Sequence, residues 1–176
     1  MNILGKLFKR QKGVTLTEAL GVLVILALLL GGAYALLTSA TTSQQSSQLG
    51  ADVASLRAAT KQLWGGQGSY GSTSLNATLI SAGRVPSDLP VSGAVISNQF
   101  GGTVTVTGAT SAFTVAVTAI PTSNCVALIS NATVSWTSIQ VGAAAAITTF
   151  PVSPATAASA TNCGASNSNT ITFTSN

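Results

Sequence analysis

An uninterrupted apolar run close to the N-terminus, residues 19–37, constrains this chain more than any other feature of its sequence. The run contains no charged residue and no proline. As a helix it would be about 28 Å long at roughly 1.5 Å per residue, close to the roughly 30 Å hydrocarbon core of a bilayer. Because a helix that is apolar all round must be covered by lipid or by other apolar helices, we predict a membrane-spanning or fibre-core segment here.

A basic segment lies immediately before the apolar run. It carries four positive charges, on Lys6, Lys9, Arg10 and Lys12. An ordinary secretory signal is cleaved after its apolar segment, at small residues in an A-x-A pattern, and no such pattern follows this run. The small residue Gly13 instead precedes the run. Cleavage after Gly13 would remove residues 1–13 and leave the apolar helix at the new N-terminus.

The order of these parts resembles the type IV prepilin family. The resemblance rests on the basic leader, on Gly13, on the Thr-Leu-Thr-Glu sequence of residues 15–18, and on the uncharged run that follows. It implies that a prepilin peptidase cleaves after Gly13 and methylates the new amine of Val14. A plain N-terminal membrane anchor is the alternative, but an anchor requires neither Gly13 nor Glu18.

Glu18 has two interpretations. A carboxylate drawn into lipid is costly, whereas the first turn of a helix favours it through the helix dipole and through the Val14 amine of the same chain. The resemblance implies instead that Glu18 of one subunit neutralises the Val14 amine of a neighbouring subunit and sets the axial register, with Thr15 and Leu16 as adjoining assembly residues. Both interpretations hold if they apply at different stages.

The distribution of charge argues against a nucleic-acid surface. Only 6% of the 176 residues are charged, and much of the net charge of +4 belongs to the leader. The processed chain would balance three cations against three carboxylates, namely Arg57, Lys61 and Arg84 against Glu18, Asp52 and Asp88. Phosphate binding requires clustered cations, so we expect no nucleic-acid partner. The leader is better interpreted as a topology signal that stays in the cytoplasm while the C-terminal portion crosses the inner membrane.

The two cysteines, Cys125 and Cys163, both lie in the portion that would be exported. An oxidising periplasm or exterior favours a disulfide between them. An isolated zinc site needs about four ligands, and a chain without histidine cannot supply them with two thiols, so we expect no metal. The bridge would close a loop of about 38 residues and stabilise the fold by on the order of 3–4 kcal/mol. By resemblance, residues 125–163 correspond to the variable surface region of pilins.

A single long helix is predicted for residues 14–63, with Gly65 and Gly66 as its C-terminal stop. Residues 14–38 would be its transmembrane or filament-core part, and residues 39–65 a stalk. In the stalk an apolar stripe recurs at helical spacing, formed by Leu49, Val53, Leu56 and Leu63 with Thr60 in the skipped position. The charged side chains of the stalk are predicted elsewhere around the helix, at Asp52, Arg57 and Lys61.

Gly31 and Gly32 interrupt the apolar run. Two adjacent glycines cost a helix about 2 kcal/mol relative to alanine, so they mark a soft point. One interpretation is close approach between helices, because small residues let helix backbones pack together in membranes. The resemblance implies the other, local unwinding when the subunit enters a filament.

The remaining residues, 66–176, are predicted to form a globular domain that is mostly β. Residues 102–107 alternate strictly, and residues 112–119 follow after a turn, which predicts a hairpin. Four further elements are predicted: short helices over 75–81 and 122–130, and strands over 136–141 and 169–174. We therefore expect an α+β fold in which the C-terminal half of the long helix packs on an antiparallel sheet.

The order of residues 79–86, then Pro121 with Cys125, then Cys163 is similar to the globular half of type IVb pilins, and most of all to thin-pilus subunits of conjugative plasmids. The resemblance implies a major pilin that polymerises with itself into an extracellular filament for adhesion, aggregation or mating contact. It implies assembly by the prepilin peptidase and by an inner-membrane platform with its ATPase. A minor pilin and a type II secretion pseudopilin are alternatives within the same class.

Catalytic chemistry has little support in the sequence. There is no histidine for a triad, and the three carboxylates are not closely paired, so we expect no enzyme activity and no cofactor. Asn76 and Asn131 each begin a glycosylation pattern, but chance matches are common in a chain rich in Asn and Thr. A membrane-tethered adhesin or a DNA-binding module is the alternative from a different class, and the near-neutral product counts against DNA.

Overall fold

The computed structural model describes residues 16–132 and 135–176. The chain divides into two compact units, residues 1–40 and residues 41–176. The predicted leader and cleavage site, with Gly13, Val14 and Thr15, lie outside the described residues.

Helix α1 runs from Leu16 to Trp64. The long helix predicted for residues 14–63 is therefore present, and it passes through Gly31 and Gly32 without a break. It ends at the position before Gly65, where a stop was expected. A Cβ atom at Gly65 would lie 2.6 Å from the carbonyl oxygen of Lys61. Only a residue without a side chain fits at that position.

None of the helices in the described residues combines the length and the apolarity that crossing a membrane demands. The membrane-spanning segment predicted for residues 14–38 stays a prediction.

A six-stranded sheet forms the larger unit. Its strands are β1 (Val91–Ser92), β2 (Val95–Ser97), β3 (Thr103–Ala109), β4 (Ala112–Ile120), β5 (Ser138–Val141) and β6 (Asn169–Ser175). They follow the order β1-β2-β3-β4-β6-β5, and every neighbouring pair is antiparallel. The C-terminal strand β6 thus lies between β4 and β5. With α1 packed on this sheet, the expected α+β, pilin-like fold is confirmed.

In the described residues, three short helices and a 3-10 turn accompany the sheet. They are α2 (Asn76–Ser81), α3 (Thr122–Ser130), α4 (Pro154–Ala157) and the 3-10 turn Cys163–Ala165. Pro121 stands directly before α3, as predicted. Helix α4 falls in a stretch expected to be a loop, and it forms because the Ser153 side chain accepts a hydrogen bond from the Thr156 amide.

The predicted stripe of α1 forms its contact with the sheet inside the larger unit. Leu49, Val53 and Leu56 are buried in one core with the inward side chains of the strands, and Leu63 packs against that core. Thr60 is also buried and donates from its hydroxyl to the Leu56 carbonyl oxygen at 2.8 Å. Strands β3, β4 and β6 turn their buried apolar positions toward the core, and their threonines lie on the opposite face.

Asp52 corrects the prediction that all the charged side chains of the stalk lie away from the buried surface. It is only 6% exposed. Its position next to Val53 brings it to the margin of the stripe, where the chain before β1 covers it.

Candidate assembly surfaces

The N-terminal part of α1 has large apolar side chains exposed around its whole circumference. Ten of them lie between residues 16 and 30, with exposed fractions from 48% at Leu26 to 81% at Leu16. Burying one such side chain completely stabilises a structure by about 1.5–3 kcal/mol. A helix of this kind gains most from a surrounding of other apolar groups, so we treat residues 16–32 as the candidate assembly surface.

Glu18 is the acidic residue in the first turn of α1. The partial positive charge at a helix N-terminus favours a carboxylate at this position. Its predicted partner, the amine of Val14, lies outside the described residues, as does Thr15. The pairing between subunits therefore stays a prediction, and Leu16 is a described, exposed neighbour of Glu18.

Gly31 and Gly32 lie in the continuous part of α1. A Cβ atom built at either position has no neighbouring atom within 4 Å. The described chain therefore makes no close packing against these glycines, and both interpretations of the pair stay predictions.

Cys125 of α3 and Cys163 of the 3-10 turn form a disulfide bond, as predicted. Both side chains are completely buried, and their Cα atoms are 5.7 Å apart. The bridge fixes the ends of the segment between residues 125 and 163, which contains strand β5 and helix α4.

The start of α3 is tied directly to the stalk part of α1. The buried side-chain amide of Asn124 donates to the Thr42 carbonyl oxygen and to the Ser46 hydroxyl, both at 3.1 Å. Ser46 in turn donates to the Thr42 carbonyl oxygen at 2.8 Å. Sequence reasoning missed this link, because Ser46 belongs to a run of polar residues whose periodicity marks no buried position.

An acidic pair, Asp52 and Asp88, forms where the chain before β1 meets α1. The Gln48 side chain donates a hydrogen bond to Oδ2 of the exposed Asp88 and also bonds to Asp52. Burial raises the pKa of Asp52 above its ordinary value, and the charge of Asp88 raises it further, while the Gln48 hydrogen bond acts in the opposite direction. Burial and the Asp88 charge thus both disfavour the ionised form of Asp52.

A basic pair, Arg57 and Lys61, lies one helical turn apart further along α1. The Arg57 guanidinium carbon is 5.3 Å from the centroid of the Trp136 ring, and its Nε donates to the Ser175 hydroxyl at 2.9 Å. Burial lowers the pKa of Lys61 from its ordinary value, and the neighbouring Arg57 charge lowers it further. At this distance the electron-rich face of the ring attracts the guanidinium.

The two glycosylation patterns differ in their surroundings. Asn76 is buried, donates to the Val104 carbonyl oxygen at 2.9 Å, and accepts from the Val106 amide at 2.8 Å. It therefore extends the hydrogen bonding of strand β3. Asn131 has an exposed side chain at the end of α3.

In the described part of the chain, no group of three or more His, Cys, Asp or Glu side chains is placed to hold a metal ion. What the described surfaces offer is apolar area on the N-terminal part of α1 and charged pairs on the stalk.

Comparisons with known protein families gave two matches, one in the N-terminal segment and one in the rest of the chain. Residues 43–176, which are most of the chain, match the family described as PilS N terminal. Residues 8–34 match the prokaryotic N-terminal methylation motif. A comparison with curated proteins found no match.

Proposed function

This chain belongs to the PilS N-terminal family and is a type IV pilin subunit, and we propose that it is the major subunit of a type IVb pilus. The methylation motif implies processing by a prepilin peptidase followed by pilus assembly. The proposal adds that cleavage follows Gly13, that the Val14 amine is methylated, and that the product polymerises with itself.

The observation that carries the proposal is the exposed apolar circumference of α1 over residues 16–32. In a single subunit, exposure of a helix that is apolar on every side to water is unfavourable. A bundle of identical helices would cover it, and the hydrophobic effect would then hold the subunits together. Folded domains built from residues 41–176 would form the outside of such a filament.

Before assembly, lipid would cover the same helix. In our proposal the precursor lies in the inner membrane with its basic leader in the cytoplasm and its globular domain in the periplasm. This stage rests on the apolar run of residues 19–37 and on the methylation motif. An assembly platform with its ATPase would move the helix from lipid into the filament core.

Glu18 would set the register of each arriving subunit. An unpaired carboxylate among packed apolar helices is strongly disfavoured, so a subunit is stable in the filament when Glu18 meets the Val14 amine of a neighbour. The Glu18→Ala variant should accumulate as processed subunit in the membrane fraction and yield few filaments. Normal filament yield from Glu18→Ala would contradict the pairing.

Shearing cells that produce the chain tests the proposal as a whole. We expect long filaments in the sheared fraction by electron microscopy, with this chain as their most abundant protein by mass spectrometry. A chain present in only a few copies per filament would instead be a minor pilin. A processed chain confined to the membrane fraction would be a pseudopilin, and an unprocessed one a tethered adhesin or binding module.

The filament would act through contact with surfaces or other cells, including adhesion, aggregation and mating contact during conjugation. No catalytic step, cofactor or nucleic-acid partner belongs to this proposal.

A further inference from the structure

The acidic pair (Asp52 and Asp88) and the basic pair (Arg57 and Lys61) lie on opposite sides of the stalk. With about 3.6 residues per turn, Arg57 is displaced about 140° around α1 from Asp52, and Lys61 about 180°. The two pairs therefore cannot neutralise each other within one subunit. In the described part of the chain no ion pair joins an acidic to a basic member.

The neighbours of each pair place the pairs near opposite edges of the sheet. Asp88 precedes strand β1, which is one edge strand. Arg57 contacts Trp136, just before the other edge strand β5, and Ser175 at the end of β6. The basic pair thus lies on one flank of a subunit, and the acidic pair lies on the other, where Arg84 also lines a cavity with Ser55 and Gln62 of α1.

Like charges lie next to each other within each pair. The charge acting on Asp52 comes from Asp88, and the charge acting on Lys61 comes from Arg57, so each pair is internally repulsive. The chain has few charges, and solubility does not require like charges to be grouped in pairs. A partner that presents the opposite pair would relieve both repulsions.

We propose that the acidic pair of one subunit faces the basic pair of a neighbouring copy of the same chain, and that the exposed Asp88 makes the contact, with Lys61, because Asp52 is buried. This inference rests on the proposed function and names the lateral contact between the globular domains. The two surfaces are different patches of one subunit, so the contact is head-to-tail, the kind that generates open helical polymers. It adds charge specificity to a filament core in which apolar contacts alone fix no register.

A second copy of the chain fits these two surfaces better than a polyanion or a cation does. Each subunit supplies one acidic pair and one basic pair, so every pair in the polymer finds one partner and the filament stays neutral. A nucleic acid would engage the basic pair and leave the acidic pair repelled. Two cations give too small a patch for a phosphate backbone.

Cross-linking of wild-type filaments tests the contact without any substitution. Once the leader is removed, Lys61 is the only lysine of the chain. A carbodiimide joins a lysine amine to a carboxylate at contact distance with loss of one water, so treated filaments should show covalent dimers and higher ladders. Mass spectrometry should identify a peptide in which Lys61 is linked to Asp88.

The matched control is Lys61→Arg, which keeps the positive charge and removes the reactive amine. It should assemble as the wild type does and lose the Lys61 cross-link, whereas a Val14–Glu18 cross-link in the filament core would persist. Filaments that yield no peptide linking Lys61 to Asp88, or that link Lys61 only to other carboxylates, would overturn the proposal. Absence of wild-type filaments would instead contradict the proposed function, so the two failures are distinguishable.

Charge reversal gives an independent test. Asp88→Lys and Lys61→Glu should each reduce the sheared-filament yield at least about tenfold, because like charges then face each other across the contact. The double variant should recover filaments, since the reversed charges again attract. Asp88→Glu, which keeps the negative charge at the contact, should leave the yield unchanged. If both single variants assemble normally, or if the double variant that forms its disulfide fails to recover, the proposed contact is wrong.

Discussion

Asp52 is the residue whose surroundings depart most from what its chemistry favours. Its carboxylate is buried beside a second carboxylate, and the hydrogen bond from Gln48 offsets this only in part. The folded-state pKa is raised, so the folded chain binds a proton more readily than the unfolded chain. The stability that this proton contributes is complete below the unfolded pKa, near 3.8, and is lost as pH rises through the folded pKa.

The Asp52→Asn variant should therefore be more stable than the wild type at pH 7, and the difference should shrink as the pH falls toward 3. Denaturant unfolding of both purified proteins across this range measures it. Asp88→Asn is the comparison variant, because it removes only the neighbouring charge and should act in the same direction to a smaller extent. A variant less stable than the wild type at pH 7 would show that the ionised carboxylate of Asp52 stabilises the fold.

Asn76 and Asn131 allow one substitution to be compared in two environments. Asn76→Ala leaves the Val104 carbonyl and the Val106 amide of β3 without their buried partner, so it should lower the free energy of unfolding by about 1–3 kcal/mol. Asn131→Ala removes an exposed side chain and should change it by no more than about 0.5 kcal/mol. Equal effects in denaturant unfolding would contradict the structural role of Asn76.

At the scale of the elements, α1 uses the same residue type for two purposes. Leu56 is buried against the sheet, whereas Leu28 is 72% exposed on the candidate assembly surface. One leucine stabilises the subunit, and the other is available to stabilise a polymer.

We expect Leu56→Ala to lower the free energy of unfolding of the subunit by about 2–5 kcal/mol. Leu28→Ala should leave subunit unfolding unchanged and reduce the yield of sheared filaments. Denaturant unfolding in detergent and filament yield, measured on both variants, separate the two roles. A Leu28→Ala variant that unfolds more easily while still forming normal filaments would contradict this division.

The elements also show where sequence reasoning succeeds and where it stops. Local periodicity predicted the stripe of α1 and the β3–β4 hairpin, because both depend on residues close together in the chain. Strands β1 and β2 escaped prediction, since strands of two and three residues exist only through their pairing, β1 with β2 and β2 with β3. Periodicity also carries no information on which strand β6 joins.

The same limit applied to the candidate surfaces. Gly13, Val14 and Glu18 were singled out because their spacing in the chain carries the signal. The acidic and basic pairs depend on contacts of α1 with Asp88, Trp136 and Ser175, which lie between 36 and 118 residues away along the chain. From the sequence alone, charged residues on a helix are interpreted as a solvent-exposed face. Their grouping into an acidic and a basic pair is therefore apparent only in the folded structure.

At the scale of the whole molecule, the disulfide limits how far the unfolded chain can expand. Replacing Cys125 and Cys163 together by serine removes a cross-link that spans 38 residues. The loop-closure entropy predicts a loss of on the order of 4 kcal/mol in the free energy of unfolding. Denaturant unfolding of the double variant should match that of the reduced wild type. An unchanged midpoint would mean that the segment between the cysteines is held by its other contacts alone.

The central claim is that the chain is processed and then assembled, and mass spectrometry of the N-terminus in sheared material tests it most directly. The account predicts an abundant chain that begins at Val14 and carries one added methyl group on its amine. A chain that begins at Met1, or a processed chain missing from the sheared fraction, would contradict it.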